Sequence, residues 1–124
     1  MIYNNLILNK IVHNKLTSFI KMDHLPNAFI FHGDDGVGKE AHAIEFFALL
    51  NCKKPVEDMA CGECPSCKKT KKIQHEYLNI IVPLPKSKSI NKNDSFIKAL
   101  SEKQYNDLIG QYIKKGSNPY HKIY

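Results

Sequence analysis

A turn of the form G-x-x-x-x-G-K, Gly33-Asp34-Asp35-Gly36-Val37-Gly38-Lys39, lies between an apolar run and a helix-patterned stretch. No other feature of the chain limits its fold as much. Ala28 to His32 carries one β-branched and two aromatic residues and is bounded by Pro26 and Gly33, so it is predicted to be a buried strand. Lys39 to Asn51 is predicted to be a helix. It is apolar around most of its circumference, which implies packing on more than one side. Small residues let the backbone between the two curl, so that successive N–H groups face inward. With the positive end of the helix they form a cradle for a phosphate chain, and the lysine reaches the terminal phosphates. The expectation is an α/β fold of the P-loop type.

The position after Lys39 departs from a working P-loop. A Ser or Thr hydroxyl there ligates Mg²⁺, whereas this chain has Glu40. Asp34 and Asp35 add further negative charge inside the turn. A like-charge contact at about 4 Å costs about 4 kcal/mol at an effective dielectric near 20. The candidate nucleotide-binding residues are therefore Gly33, Asp34, Asp35, Gly36, Val37, Gly38, Lys39 and Glu40, in a degenerate site. ATP hydrolysis by this chain is not expected. Nucleotide binding without turnover stays open, as does a strand-to-helix turn that holds no ligand.

The four cysteines stand at Cys52-x8-Cys61-x2-Cys64-x2-Cys67. Two overlapping C-x-x-C steps turn three thiolates toward one point, and the eight-residue loop brings Cys52 around as the fourth. This spacing predicts a closed, structural Zn²⁺ site with no open coordination position for catalysis. Gly62 permits the tight backbone between the first two thiols of the knuckle, and Lys53, Lys54, Lys68 and Lys69 offset its negative charge. An iron–sulfur cluster and a redox C-x-x-C pair are the alternative readings.

Asn9 to Met22 is predicted to be a helix capped by Asn9, and Pro65 to His75 a second one with proline in its first turn. Tyr77 to Val82 is a second strand candidate, stopped by Pro83 and Pro85. Lys86 to Asn93 reads as a polar loop. Ser95 to Lys115 has roughly helical spacing, with Asp94 as a candidate cap and Gly116 as a candidate terminator; Gly110 weakens the case for one unbroken helix. His32, His42 and His75 flank the two motifs, but no third partner for a triad or metal site is visible, so they are expected to be structural. The net charge of +6 comes from lysine alone, since the chain lacks arginine. A phosphate-facing surface is one reading, but a solvated lysine coat is the favoured one, since a specific nucleic-acid site more often uses arginine. No apolar run is long enough to span a membrane and no signal peptide is read, so the expected location is the cytoplasm.

The order and distance of the two motifs are more restrictive than either alone. Leu25-Pro26-Asn27-Ala28-Phe29-Ile30-Phe31-His32-Gly33 resembles the strand entering the P-loop of bacterial DNA polymerase III clamp-loader subunits. Leu50-Asn51-Cys52, followed by Cys61-Gly62-Glu63-Cys64-Pro65-Ser66-Cys67, is similar to the zinc module of the same proteins. His75-Glu76-Tyr77-Leu78 is similar to their His-Pro-Asp segment, with Glu76 and Tyr77 replacing Pro and Asp. The resemblance covers Asn9 to Val82.

The resemblance implies a truncated AAA+ P-loop domain over residues 1–124, with the four-cysteine zinc module inserted at about 52–67. Later strands, sensors, lid and C-terminal domain would be absent. Gamma/tau motor subunits of that family keep Gly-Lys-Thr, whereas delta-prime subunits often have a degraded P-loop, so Glu40 favours the delta-prime class. The implied role is a non-hydrolysing stator that helps place the sliding clamp on primed DNA. Its partners would be the gamma/tau and delta subunits, with DNA contacted indirectly and no membrane. Two strands lacking the strands that separate them leave backbone groups unpaired, so the isolated chain is expected to be poorly ordered away from the metal. Two other readings compete with this one. One is a small zinc-module adaptor binding nucleic acid through Lys68, Lys69, Lys71 and Lys72. The other is a P-loop enzyme such as a small nucleotide kinase, against which Glu40 speaks.

Overall fold

The computed structural model describes residues 1–83 and 93–123, apart from the side chain of Phe96. Helix α1 spans Lys10–Lys21, α2 Lys39–Asn51, α3 Pro65–Lys71 and α4 Glu102–Ser117, with a 3-10 turn at Phe96–Ala99. Asn9 caps α1 as its residue type predicts, its side chain accepting the Val12 N–H at 3.2 Å.

Helix α2 is the centre of the fold. Ala41, Ile44, Phe46, Ala48 and Leu49 are all buried, so apolar residues around the helix meet neighbours on more than one side. Helices α1 and α3 both pack on it. On the α1 side, Phe29 bridges Phe19 and Phe46 by edge-on ring contacts, with centroids 5.8 and 5.4 Å apart.

The first eight residues lie against α2 and tie the two motifs together. Ile2, Tyr3 and Leu6 are buried in one cluster with Ala41, Ile44, Ala48, Ala60 and Cys67. The Met1 ammonium donates to the Ala60 carbonyl at 2.6 Å. The N–H groups of Ile2 and Tyr3 donate to the two oxygens of Glu45, at 3.2 and 2.7 Å. A second cluster joins Leu100, Leu108 and Ile123, with Ile73, Val82 and Tyr112 against it.

Several expectations change. The segments 28–32 and 77–82 do not form strands, and no β-ladder exists among the described residues. Ile30 and Ile81 are 91 % and 97 % exposed. A strand needs a neighbour to satisfy its backbone groups, and neither segment has one here, so the α/β architecture is not realised among these residues. Helix α3 ends at Lys71 rather than His75. The helical spacing expected from Ser95 to Lys115 is interrupted at Leu100–Ser101 and not at Gly110, which lies inside α4. Ser101 and Gln104 form a capping box there and start α4 afresh, and Gly116 lies inside the helix rather than ending it. The polar loop expected at Lys86 to Asn93 lies outside the described residues except for Asn93, which is in a turn. Among the described residues no helix is long and apolar enough to cross a membrane.

Candidate functional site

The four cysteines converge. The sulfurs of Cys52, Cys61, Cys64 and Cys67 all lie within 4.8 Å of one another, with Cys61 and Cys67 Sγ 3.9 Å apart. A tetrahedral site with metal–sulfur bonds of about 2.3 Å has sulfur–sulfur edges of about 3.8 Å. The Cys61–Cys67 separation already matches that edge, and the four sulfurs could hold one metal ion of that size once the longer separations close. Cys67 is fully buried and the other three are half-buried.

Local structure explains the convergence. The loop after Cys52 folds back on itself: Val56 and Met59 exchange both backbone hydrogen bonds at 2.9 Å. Glu57 and Asp58 between them have φ of 49° and 61°, a tight reversal with left-handed backbone at both central residues. An ion pair of 2.7 Å from Lys21 to Asp58 fastens this loop to α1. Backbone amides then point at sulfur. Cys61 N–H reaches Cys52 Sγ at 3.3 Å, and Cys64 N–H reaches Cys61 Sγ at 3.3 Å. Gly62 has φ +79°, and a Cβ on it would meet the Met1 carbonyl oxygen at 2.7 Å.

The amides shape the acidity of the thiols. Hydrogen bonds from the Glu63 and Cys64 N–H groups lower the Cys61 pKa. Burial pushes Cys64 up, but hydrogen bonds from Lys53 and Cys67 N–H groups and the neighbouring sulfurs outweigh it, holding the thiol at about 6. Burial pushes Cys67 well above the usual thiol range. An ion bound among the sulfurs would stabilise all four as thiolates.

Behind the cysteines lies a support that sequence reasoning passed over. Ser66 is buried on α3, and its hydroxyl is 3.0 Å from His75 Nε2. Tyr77 N–H donates to His75 Nδ1 at 3.1 Å, so the proton is on Nε2 and is given to Ser66. The imidazole also stands edge-on to Phe47 of α2 at 5.1 Å. His75 lies in the loop after α3 and is buried there as a brace.

The glycine turn leads directly into α2. Gly38 is the N-cap, with φ +81° and no capping side chain, which leaves first-turn amides available to an anion. His42 props the turn from within. Its Nδ1 is 2.7 Å from the Gly38 carbonyl, and its Nε2 accepts the Asn9 N–H at 3.0 Å, so the proton is on Nδ1. His32 is exposed.

Lys39, Glu40 and Asp35 of the turn each have a partner. Lys39 Nζ donates to the carbonyls of Gly33 and Asp34 at 2.6 and 3.2 Å. Glu40 Oε1 lies 3.2 Å from Lys115 Nζ, which also donates to the Pro119 and His121 carbonyls at 2.7 and 2.9 Å. Lys115 is 2 % exposed, so this is a buried ammonium with all three protons used. Asp35 pairs with Lys122 at 3.4 Å. These lysines were not singled out from sequence, because nothing in the spacing of Lys115 distinguishes it from the other lysines of α4. The lysines of α3 are exposed as expected, with Lys69 paired to Glu76.

Residues 8–114 match the family model described as DNA polymerase III, delta subunit. The tau/gamma subunit of DNA polymerase III from Haemophilus influenzae is 31 % identical over 97 residues, covering 78 % of this chain and 14 % of that protein. The delta' subunit from Pseudomonas aeruginosa is 42 % identical over 41 residues, 33 % of this chain and 12 % of that protein. Protein STICHEL from Arabidopsis thaliana is 34 % identical over 67 residues, 54 % of this chain and 6 % of that protein. The chain thus spans a small fraction of the length of these relatives. No solved structure matches it. With the family model covering most of the chain, and with relatives among both the tau/gamma and the delta' subunits, this chain belongs to the DNA polymerase III delta-subunit family, the clamp-loader family that its motifs resemble.

Proposed function

We propose that this chain is a clamp-loader subunit of the delta-prime type, an ATPase-inactive AAA+ stator that acts with gamma/tau and delta subunits to load the sliding clamp on primed DNA. The observation that carries this reading is the Glu40–Lys115 pair. Glu40 stands where a hydroxyl would have to ligate Mg²⁺, and its carboxylate is held by a buried ammonium instead. Residues 33–40 are then a retained turn rather than a working catalytic one, and turnover belongs to neighbouring subunits. Such a subunit works in the cytoplasm and touches DNA through its assembly.

In this reading residues 1–124 are the N-terminal part of an AAA+ P-loop domain, with a zinc module at about 52–67. The ion is structural Zn²⁺, for which four converging cysteine sulfurs are a suitable donor set. The exposed segments 28–32 and 77–82 become strands of a parallel α/β sheet when strands pair with them. The exposure of Ile30 and Ile81 supports this, since each offers a large apolar side chain to a neighbour.

The test is twofold. The chain is mixed with gamma/tau and delta subunits from the same source and run on a sizing column, and ATP turnover is measured on the chain alone. Co-elution without turnover is expected. Turnover that disappears in Lys39→Ala would sink the stator reading and favour the gamma/tau type, a reading that the 97-residue similarity to a tau/gamma subunit keeps in play.

A further inference from the structure

Helix α4 buries one side and leaves an apolar stripe beside it. Leu108 and Lys115 are its buried residues. Tyr105, Ile109, Tyr112, Ile113 and Gly116 stand at i, i+4, i+7, i+8 and i+11, so they share an adjoining face about 16 Å long. Tyr105, Ile109 and Ile113 are 39 %, 37 % and 70 % exposed. Apolar residues scattered singly on a surface need no explanation, but three in line on one helix face point to a partner.

The C-terminal end of the stripe opens into a groove of about 400 Å³ between α4 and the end of α3. Tyr112, Ile113 and Ser117 line it from α4, and Lys71, Lys72 and Gln74 from the end of α3 and the residues after it. Gly116 lets the two elements come together, since a Cβ on it would meet the Lys71 carbonyl oxygen at 2.9 Å. Tyr112 packs against the cluster of Leu100, Leu108 and Ile123, which fixes one wall to the core. Lys69 is held by Glu76, whereas Lys71 and Lys72 are exposed and have no ion-pair partner among the described residues.

We propose that this groove and stripe are a docking surface for an acidic amphipathic helix of another protein. Its apolar side chains sit on Ile109, Tyr112 and Ile113, and its carboxylates face Lys71 and Lys72. Charge selects this occupant. A second copy of the chain, pairing the same face with itself, would set Lys71 and Lys72 against their own counterparts in a protein of net charge +6. Nucleic acid would satisfy the lysines but leave the isoleucines against water. A membrane surface is flat and would leave the concavity unfilled. The surface belongs to α3 and α4, so the inference stands whether or not the glycine turn hydrolyses nucleotide.

The experiment uses the full 124-residue chain and a fluorescein-labelled helical peptide of about 15 residues, with leucines along one face and glutamates on the other. Binding is read by fluorescence anisotropy. A peptide of the same composition with its leucines scattered is expected to bind at least about tenfold more weakly. Ile113→Gln is expected to weaken the amphipathic peptide by about tenfold, and Lys71→Gln/Lys72→Gln to weaken it and flatten its salt dependence. Should circular dichroism show that Ile113→Gln disturbs the helix, Ile109→Gln decides by the same comparison. No binding, equal binding of the scattered peptide, or an affinity unmoved by the glutamine variants overturns the proposal. So does binding to anionic phosphatidylglycerol vesicles or to a DNA duplex, or a dimer of the chain in sedimentation, that Ile113→Gln abolishes while the peptide stays unbound.

Discussion

His75 gives its Nε2 proton to the hydroxyl of Ser66, 3.0 Å away, so a side chain beyond α3 braces the helix that carries Cys67. Both residues are buried, and removing one leaves the other's polar atom unsatisfied, at a cost of about 1–3 kcal/mol. Ser66→Ala is expected to lower stability by that amount in urea unfolding and to speed metal transfer to a chromogenic chelator. Ser66→Thr, which keeps the hydroxyl, is expected to recover part of both. Unchanged transfer rates in Ser66→Ala would separate the brace from the metal site.

The sulfurs belong to the main apolar cluster, since Cys67 is buried in it and Cys52, Cys61 and Cys64 pack against it. Metal loss should therefore be felt across the fold. One ion per chain is expected by elemental analysis. Chelation is expected to lower the melting temperature by at least about 10 °C, which corresponds to a loss of about 2 kcal/mol or more for a domain of this size. Cys67→Ser is expected to be the most damaging single ligand change. A melt insensitive to chelator would contradict a structural ion.

Two glycines with the same backbone angle make a clean contrast. Gly62 and Gly36 have φ of 79° and 81°, but only at Gly62 would a Cβ strike backbone, at 2.7 Å from the Met1 oxygen. Gly36→Ala is expected to cost about 1 kcal/mol of conformational strain. Gly62→Ala adds a displacement of the first residues and is expected to cost about 3 kcal/mol. Equal midpoints for the two in denaturant titration would refute the contact.

Burial raises the pKa of Glu45 above the ordinary carboxylate value, against the opposing pull of the Tyr3 and Ile2 amides. The sign follows. A group whose native pKa exceeds its unfolded one contributes stability that is full below the unfolded value and is lost as pH rises through the native value. The stability of the unmodified chain minus that of Glu45→Gln is thus expected to fall with rising pH in the window just above the ordinary carboxylate range. Its slope is limited to about 1.4 kcal/mol per pH unit, one proton's worth. Denaturant midpoints for both proteins across that window test it, and a difference independent of pH would refute it.

Elements whose signals are local were legible in the sequence. Asn9 caps α1 by its own side chain, α2 has the predicted bounds Lys39–Asn51, and the cysteine spacing alone brings four sulfurs together. What escaped depends on distant partners. Residues 28–32 have the composition of a strand, but composition cannot supply a neighbouring backbone. The break before α4 hinged on Ser101 and Gln104, a capping box embedded in an otherwise continuous helical pattern. Lys115 looks like any solvent-facing lysine until the chain turns at Pro119 and folds carbonyls over it. Glu45, a charge out of place on an apolar helix, is explained only by the amides of Ile2 and Tyr3 far earlier in the chain.

The opening segment sets a strict spacing rule. Met1 is seated on Ala60 beside the sulfurs, while Leu6 would lie 3.2 Å from a Cβ on Gly38, with Ile7 bonded to Tyr120 just beyond. Both ends are fixed and Glu45 clamps the middle, so the span has no slack. Inserting one residue between Tyr3 and Leu6 would unseat whichever end was held less firmly. The two motifs, separable on paper, can therefore drift apart in length no further than this short tether allows.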